Sequence, residues 1–532
     1  MRLGVTFFPG EPRPDWSSAS GVRRLGPSSE SNVLMSRSNP LLAPSGLLAL
    51  CAVAAVSSPL TAQGRTRVDG EGGAAPNVIY ILADDLGYGE VGCYGQQLIR
   101  TPSLDRMAAE GMRFTQHYSG APVCAPSRCV LMTGRHLAHA EIRGNKEVKP
   151  EGQWPISEAV ATLPQMFRER GYVTGAMGKW GLGPVGSTGD PNAKGIDYFV
   201  GYNCQREAHT YYPRHLWVNA QQLFLDNDRV PGHGKIKSID EGFGRFYGNE
   251  YAPDVMMRAA QAFLRRHREG PFFLYLPFVQ PHLAMQPRED LVASYPESWD
   301  TEPYLGGRGY TPHPRPRAGY AAMITELDEQ VGAILDLVDA LGLTEDTLIL
   351  FSSDNGPTHD VGGVDTTFFT SAGPLRGRKG SVFEGGLRVP TLARWPGHVA
   401  AGSTTDHVSA FQDVMPTLAE LCGLAMPEAC DGVSFLPTLV GEPERQAQHP
   451  YLVWEFAEYG GQKAVRMGRY KAVMRDIFKG NDRIELYDLE ADVGEESDIA
   501  DDEPELVAEV RGIMRDDRTP NPVFPMPAFD NR

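Results

Sequence analysis

Short uninterrupted apolar runs recur along this chain, and longer stretches with apolar residues three to four apart lie between them. Val78-Ile79-Tyr80-Ile81-Leu82, Phe272-Phe273-Leu274-Tyr275-Leu276 and Thr347-Leu348-Ile349-Leu350-Phe351-Ser352 are such runs. Their lack of alternation predicts strands buried on both faces, the habit of parallel sheets covered by helices. Residues 171–177 predict a further strand, and 112–118 and 387–395 predict shorter ones. Tyr320, Met323, Ile324, Leu327, Val331, Ile334, Leu335 and Val338 fall on one helical stripe and predict a long core helix. Helices are also predicted over 101–111, 162–170, 254–266 and 413–421. Strands alternating with helices place the bulk of the chain in the α/β class, with one large sheet covered on both faces. Past Gly432 the pattern changes. Short segments at 451–456, 463–467, 470–474 and 484–488, separated by turn residues, predict a small antiparallel sheet, followed by a helix near 504–515.

Polar residues collect where the buried runs stop. Asp84 and Asp85 follow the first run, Lys179 ends the second, His282 follows the third, and Asp354 and Asn355 follow the fourth. In open α/β sheets ligands gather at the carboxyl ends of strands. Each residue taken alone has an ordinary alternative: capped turns for the acids, a structural role for the histidine.

The stretch Cys124-Ala125-Pro126-Ser127-Arg128, continuing to Thr133-Gly134-Arg135, has a different character. Pro126 suits a first helical turn, where a missing N–H costs nothing. Cys124 is therefore expected at or just before a helix N-terminus, where free N–H groups favour an anion. A buried cysteine at a loop-to-helix junction is the plainer reading of the same residues.

Cys124-x-Pro126-Ser127-Arg128 followed by Leu131-Met132-Thr133-Gly134-Arg135 resembles the signature of the formylglycine-dependent sulfatase family, within the alkaline-phosphatase-like superfamily. Asp84-Asp85-Leu86-Gly87, Gly178-Lys179-Trp180, Pro281-His282, Asp354-Asn355-Gly356 and the segment 374–390 around Lys379 agree with it. The resemblance extends over about 76–515. It implies an α/β sandwich with a large mixed sheet and a small C-terminal antiparallel sheet. It also implies conversion of Cys124 to a formylglycine nucleophile by a formylglycine-generating enzyme. Asp84, Asp85, Asp354, Asn355 and modified Cys124 would hold one divalent cation, calcium or magnesium, as befits oxygen ligands. Arg128 would hold the nucleophile and metal ligands in place, Lys179 and Lys379 would bind sulfate oxygens, and His282 would protonate the leaving group. The substrate implied is a sulfated carbohydrate, with galactose or N-acetylgalactosamine sulfate a guess. The chain departs from the family at Gly181, where a histidine is usual. His136, His139 and His209 are candidates to replace it. His139, Arg143, Asn145, His209, His359 and Asp365 are candidate substrate contacts, with surface-loop roles as the alternative. Two other functions compete: a phosphodiesterase or phosphonate monoester hydrolase of the same superfamily, and a non-catalytic glycan-binding protein with unmodified Cys124.

A net charge of −17 over 532 residues argues against nucleic acid, which calls for a basic face. It does not oppose an anionic substrate, since a local group of cations can dominate its own site. Residues 35–62 have the order of a secretory signal: Arg37, an apolar stretch 47–56, then small residues before Gln63. The apolar stretch is too short to span a membrane. A secreted or periplasmic location follows. Residues 1–34 are an uncertain leader or a mis-called start. The catalytic part is expected over 70–432 and a C-terminal subdomain over 433–520. Of the seven cysteines, Cys422 and Cys430 are close enough in sequence to bridge a short loop in an oxidising compartment.

Overall fold

The computed structural model describes residues 76–530 and the backbone of Asp69–Gly70 and Gly73–Ala74. The leader and signal segment lie outside the described residues. The central element is a ten-stranded mixed sheet. Its strands in chain order are β1 (Asn77–Asp84), β2 (Met112–Phe114), β3 (Val173–Lys179), β4 (Tyr198–Tyr202), β5 (His215–Val218), β6 (Gln221–Phe224), β7 (Phe272–Pro281), β8 (Thr347–Ser353), β9 (Thr391–Arg394) and β10 (Ser403–Thr405). Across the sheet they run β10-β2-β9-β8-β1-β7-β3-β4-β5-β6. The central strands β8, β1, β7, β3 and β4 are mutually parallel. The hairpin β5–β6 extends one edge, and it is an element that the apolar pattern did not announce.

Residues alternate along the central strands between the two faces of the sheet. Val78, Tyr80, Leu82, Phe273 and Tyr275 belong to one apolar core, and Ile79, Ile81, Ala83, Leu274 and Leu276 to another. This explains the continuous apolar runs: each strand has two dry faces and no solvated side. Helix α1 (Pro102–Ala109), helix α3 (Ala252–His267) and the long helix α4 (Pro316–Ala340) cover the second core, while helix α2 (Cys124–Thr133) packs into the first.

The C-terminal strands β11 (Leu452–Phe456), β12 (Gln462–Met467), β13 (Tyr470–Met474) and β14 (Glu485–Asp488) form a four-stranded antiparallel meander. Period two again divides its residues. Trp454, Phe456, Ala464 and Val473 join the first core, and Val453, Val465, Ala472 and Leu486 pack with Val510 and Met514 of α5 (Pro504–Asp516). Glu455 is fully buried at this junction and takes Arg143 at 2.6 Å, Lys463 at 2.6 Å and Arg518 at 2.7 Å. Burial pushes its carboxyl up, but Arg518, Lys463 and Arg143 outweigh it and hold it below the usual range. The excess positive charge falls on Lys463. Burial, aided by Arg518 and Arg143 and opposed by Glu455, pushes that ammonium down to about 8.

Arg143 is thereby corrected. Its donors go to Ala140 O at 2.8 Å, Glu455 and Thr519 O at 2.7 Å, so it is a buried structural cation and not a substrate contact. The proposed Cys422–Cys430 bridge is also absent: both thiols are free, and Cys430 instead donates to Gly134 O at 3.4 Å.

Glu455→Ala strands buried cations and is expected to cost about 3–5 kcal/mol, read from urea denaturation. Because the Glu455 carboxyl is held low in the folded state, its contribution is present above the ordinary glutamate value and is lost as pH falls through its folded value. The stability difference between wild type and Glu455→Gln should therefore shrink on acidification.

Candidate active site

The parallel register brings four strand ends to one edge. Ser353 lies opposite Ala83, and Pro281 lies opposite Asp84. Asp84 and Asp85 after β1, Lys179 at the end of β3, His282 after β7 and Asp354 and Asn355 after β8 therefore meet at the carboxyl edge. Asp85 turns through a left-handed backbone, φ 69°, a conformation costly for most side chains and met at sites that need it. Its N–H donates to Asp354 Oδ1 at 3.1 Å.

Helix α2 enters from the side. Val123 is its extended N-cap, and Cys124 is its first residue. Cys124 Sγ lies 3.4 Å from Asp84 Oδ1, 4.0 Å from Asp85 Oδ1 and 3.4 Å from Lys379 Nζ. One turn on, Arg128 sends Nε and Nη2 to Asp354 Oδ2 at 3.1 and 2.8 Å and Nη1 to Lys179 O at 2.5 Å. Lys179 Nζ donates to Asp84 Oδ2 at 2.5 Å, and Lys379 Nζ to Asp85 Oδ2 at 2.8 Å. All of these groups are buried except Lys379, whose side chain is partly exposed.

Burial pushes Asp84 up, but Lys179, His282, Arg128 and Lys379 outweigh it and hold the carboxyl well below the usual range. Burial and neighbouring Asp84 push Asp354 up to about 6, against Arg128. The same two causes push the Cys124 thiol up to about 12, with both lysines opposing. Unmodified Cys124 is thus a protonated thiol at neutral pH and a poor nucleophile.

His282 sits above this group. Its Nδ1 is 2.6 Å from Leu283 O and Nε2 is 3.7 Å from Asp85 Oδ2. The backbone contact assigns the proton to Nδ1 of the neutral ring, and burial together with Lys379 holds the ring well below the usual histidine value. His209 stacks on it at 5.0 Å, and Tyr310 meets His282 at 5.9 Å and His209 at 5.3 Å. His233 completes the group, 3.1 Å from His209 Nδ1. Tyr310 and His233 were not found by sequence reasoning. They lie on aperiodic loops and carry no local signal.

The remaining candidates are scattered. Asn145 Oδ1 accepts from Ala125 N at 3.0 Å and so caps the first turn of α2, beside Cys124. His359 packs near Tyr459, its ring held below the usual value by burial and Lys379. Asp365 is held by Arg317 at 2.7 Å and lines an open pocket of about 480 Å³ with Tyr304, Arg308 and Asp360. His139 faces Asp431 and Asp517 instead of the cluster at the sheet edge.

Gly181 has a physical explanation. It adopts φ +84°, and a Cβ there would meet Gln205 Nε2 at 1.9 Å and approach Arg128 Cδ at 3.9 Å. Gln205 thus fills the space beside Arg128 that a larger residue at 181 would occupy. Both polar atoms of its buried amide lack a hydrogen-bond partner in the protein.

The donors at the edge also fit a hard divalent cation. Three carboxylates converge, and the buried Asn355 Oδ1 has no partner while its Nδ2 donates to Asp85 Oδ1 at 2.8 Å. An orphaned carbonyl oxygen facing carboxylates is the complement of an oxygen-seeking ion.

A mixed α/β sheet with a buried cysteine among acids and fixed cations at its carboxyl edge suits the hydrolysis of an anionic ester. Comparison with known proteins narrows the class. Residues 76–424 match the family model described as Sulfatase, and 378–517 match N-sulphoglucosamine sulphohydrolase, C-terminal. An N-acetylgalactosamine-6-O-sulfatase of Bacteroides thetaiotaomicron is 30% identical over 511 residues, covering 85% of this chain and 94% of that protein. Human arylsulfatase A is 33% identical over 407 residues, covering 75% and 74%. The crystal structure of Ps i-CgsB in complex with k-i-k-neocarrahexaose aligns with TM-score 0.67 and 27% identity, over 84% of this chain and 94% of that one. The chain belongs to the sulfatase family and is a sulfate-ester hydrolase.

Gly181→Ala should lower the thermal midpoint through both its left-handed backbone and the Gln205 clash, the backbone alone costing about 1–2 kcal/mol of stability. Pairing it with Gln205→Gly should recover the part due to the clash. Strictly additive losses in that double-mutant cycle would remove the assigned contact.

Proposed function

We propose that this chain hydrolyses a sulfate monoester on a carbohydrate, with Cys124 converted to formylglycine by a formylglycine-generating enzyme. The observation that carries the reading is the position of Cys124. It opens a helix at the carboxyl edge, against Asp84 and Asp85 and beside Lys379, yet its unmodified thiol is held protonated. A hydrated aldehyde at this position supplies one hydroxyl to attack sulfur and a second whose deprotonation releases the sulfate. Asp84, Asp85, Asp354, Asn355 and the modified Cys124 would hold one calcium or magnesium ion. When bound, such an ion would supply Lewis acidity, favouring loss of the nucleophile's proton and withdrawing charge from the sulfate.

The protein's own side chains have separable tasks. Arg128 fixes Asp354 and the end of β3 together, so the acids keep their spacing. Lys179 and Lys379 each stand one hydrogen bond from an acid and would turn their remaining N–H donors to the sulfate oxygens as charge builds there. His282 points Nε2 into the site; that nitrogen would first take up a proton from the nucleophile's hydroxyl as it attacks sulfur and then deliver it to the departing alcohol oxygen as the sulfur–oxygen bond breaks. His209 stacks on that ring and limits its rotation.

The sugar is read from the surroundings and the relatives. His209, His233 and Tyr310 present flat faces above His282, and His359 and Tyr459 present others. Such faces suit a pyranose. The Bacteroides relative named for N-acetylgalactosamine 6-O-sulfate makes that ester the first to try, with galactose sulfate next. We place the catalytic part at 70–432 and the C-terminal subdomain at 433–520, and assign a secreted or periplasmic location from the signal-like segment. Among the described residues no helix is long and apolar enough to cross a membrane.

Mass spectrometry of the peptide bearing Cys124 tests the covalent claim, on protein co-produced with a formylglycine-generating enzyme. The aldehyde is expected, and an unmodified thiol beside a converted control sulfatase would sink it. Sulfate release from sulfated N-acetylgalactosamine and galactose tests the substrate, and faster release from phosphate or phosphonate esters would reassign the reaction. His282→Ala should lower kcat on a sugar sulfate by about 10²–10⁴-fold. The loss should be far smaller on an aryl sulfate, whose leaving group needs no proton. Equal losses on both would remove the acid role.

A further inference from the structure

The turn that leaves the nucleophile helix carries a second group of ligating side chains. Gly134 ends α2 in the left-handed region, φ 65°, and the next turn brings His136 and His139 together with rings stacked at 4.1 Å. Two acids distant in sequence meet them. Asp431 accepts His136 N–H at 2.9 Å, and Asp517 follows the last turn of α5.

The polar atoms are sorted in a specific way. His139 Nδ1 is held by the Asp431 carboxylate at 3.0 and 3.1 Å, which leaves Nε2 facing Asp517 Oδ1 at 3.4 Å. A carboxylate on one ring nitrogen, freeing the other, is how metal-bound histidines are oriented. His136 Nε2 stands 3.3 Å from Asp517 Oδ2. His136 is 8% exposed, and its Nδ1 has no hydrogen-bond partner, so the buried ring engages the cluster through Nε2 alone. One ligand atom from each of His136, His139 and Asp517 lies within 4.8 Å of the other two, close enough for a single ion to draw them together. His139 and Asp517 are half-buried, which leaves a path for an ion and a water.

We propose that His136 Nε2, His139 Nε2 and the Asp517 carboxylate form a second metal site for a zinc-like divalent ion, with Asp431 orienting His139. Imidazole donors favour borderline transition metals, whereas the all-oxygen cluster at the sheet edge favours calcium or magnesium, so the two sites differ in chemistry. The ion would tie the exit of the nucleophile helix to the end of α5, joining segments that are otherwise far apart in the chain. This site is independent of the reaction at Cys124.

The test uses full-length protein without a histidine tag, carrying Cys124→Ser so that the sheet-edge thiol cannot bind zinc. After chelation and dialysis, zinc is titrated while bound metal is counted by inductively coupled plasma mass spectrometry, and cobalt is added separately to record its visible spectrum. One zinc per chain, a tetrahedral cobalt spectrum and a rise in the thermal midpoint with zinc are expected. His139→Ala and Asp517→Asn are the partners for comparison, since both residues are half-buried and tolerate change better than His136. Each should weaken zinc binding by roughly 100-fold or more while keeping the wild-type circular dichroism. Zinc uptake equal in parent and variants, or no tetrahedral cobalt band, would show ion pairs only and overturn the proposal.

Discussion

A balance of buried charge at the carboxyl edge of the sheet holds the active site together. Asp84, Asp85 and Asp354 are buried there against Arg128, Lys179 and Lys379. Each ion would cost several kcal/mol to desolvate alone, so the cluster persists only while every partner keeps its distance. The parallel register of β8, β1, β7 and β3 sets those distances. A slip by one residue in any of these strands would move an acid or lysine to the wrong face. The same balance bears on the thiol: burial beside Asp84 favours the protonated form of Cys124, in accord with the proposed conversion to formylglycine.

The C-terminal meander is coupled to this edge by a second set of buried ions. Glu455 gathers Arg143 from the loop after the nucleophile helix, Lys463 from the neighbouring strand and Arg518 from beyond α5. Asn145, two residues past Arg143, caps Ala125 and is itself held by Glu458 at 3.1 Å. The position of Cys124 thus depends on residues more than 300 positions downstream. The C-terminal sheet is part of the support of the active site as well as a covering layer.

The exchange at Gly181 shows how one pocket tolerates different solutions. With glycine at the strand end, the amide of Gln205 fills the space beside Arg128, and its two buried polar atoms have no hydrogen-bond partner in the protein. Packing alone requires a small residue at 181 once Gln205 is present.

Much of this protein was legible in its sequence, because the strongest signals are local. Continuous apolar runs such as 78–82 and 348–351 can only be strands dry on both faces, and polar residues at their ends fall on one edge once those strands run parallel. The Cys124–Arg128 segment carried the helix start and the family resemblance together. Tertiary structure decided what depends on distant partners. Arg143 and His139 lie beside the nucleophile motif in sequence, yet Glu455 draws one into a structural ion cluster and Asp431 with Asp517 claims the other. Tyr310 and His233 reach His282 and His209 from irregular loops that no periodicity marks. Cys422 and Cys430 are near in sequence but remain free, since each thiol is held by its own surroundings. Sequence fixes which residues share a strand end or a helix face; folding decides which charges meet, because that depends on contacts spanning hundreds of residues.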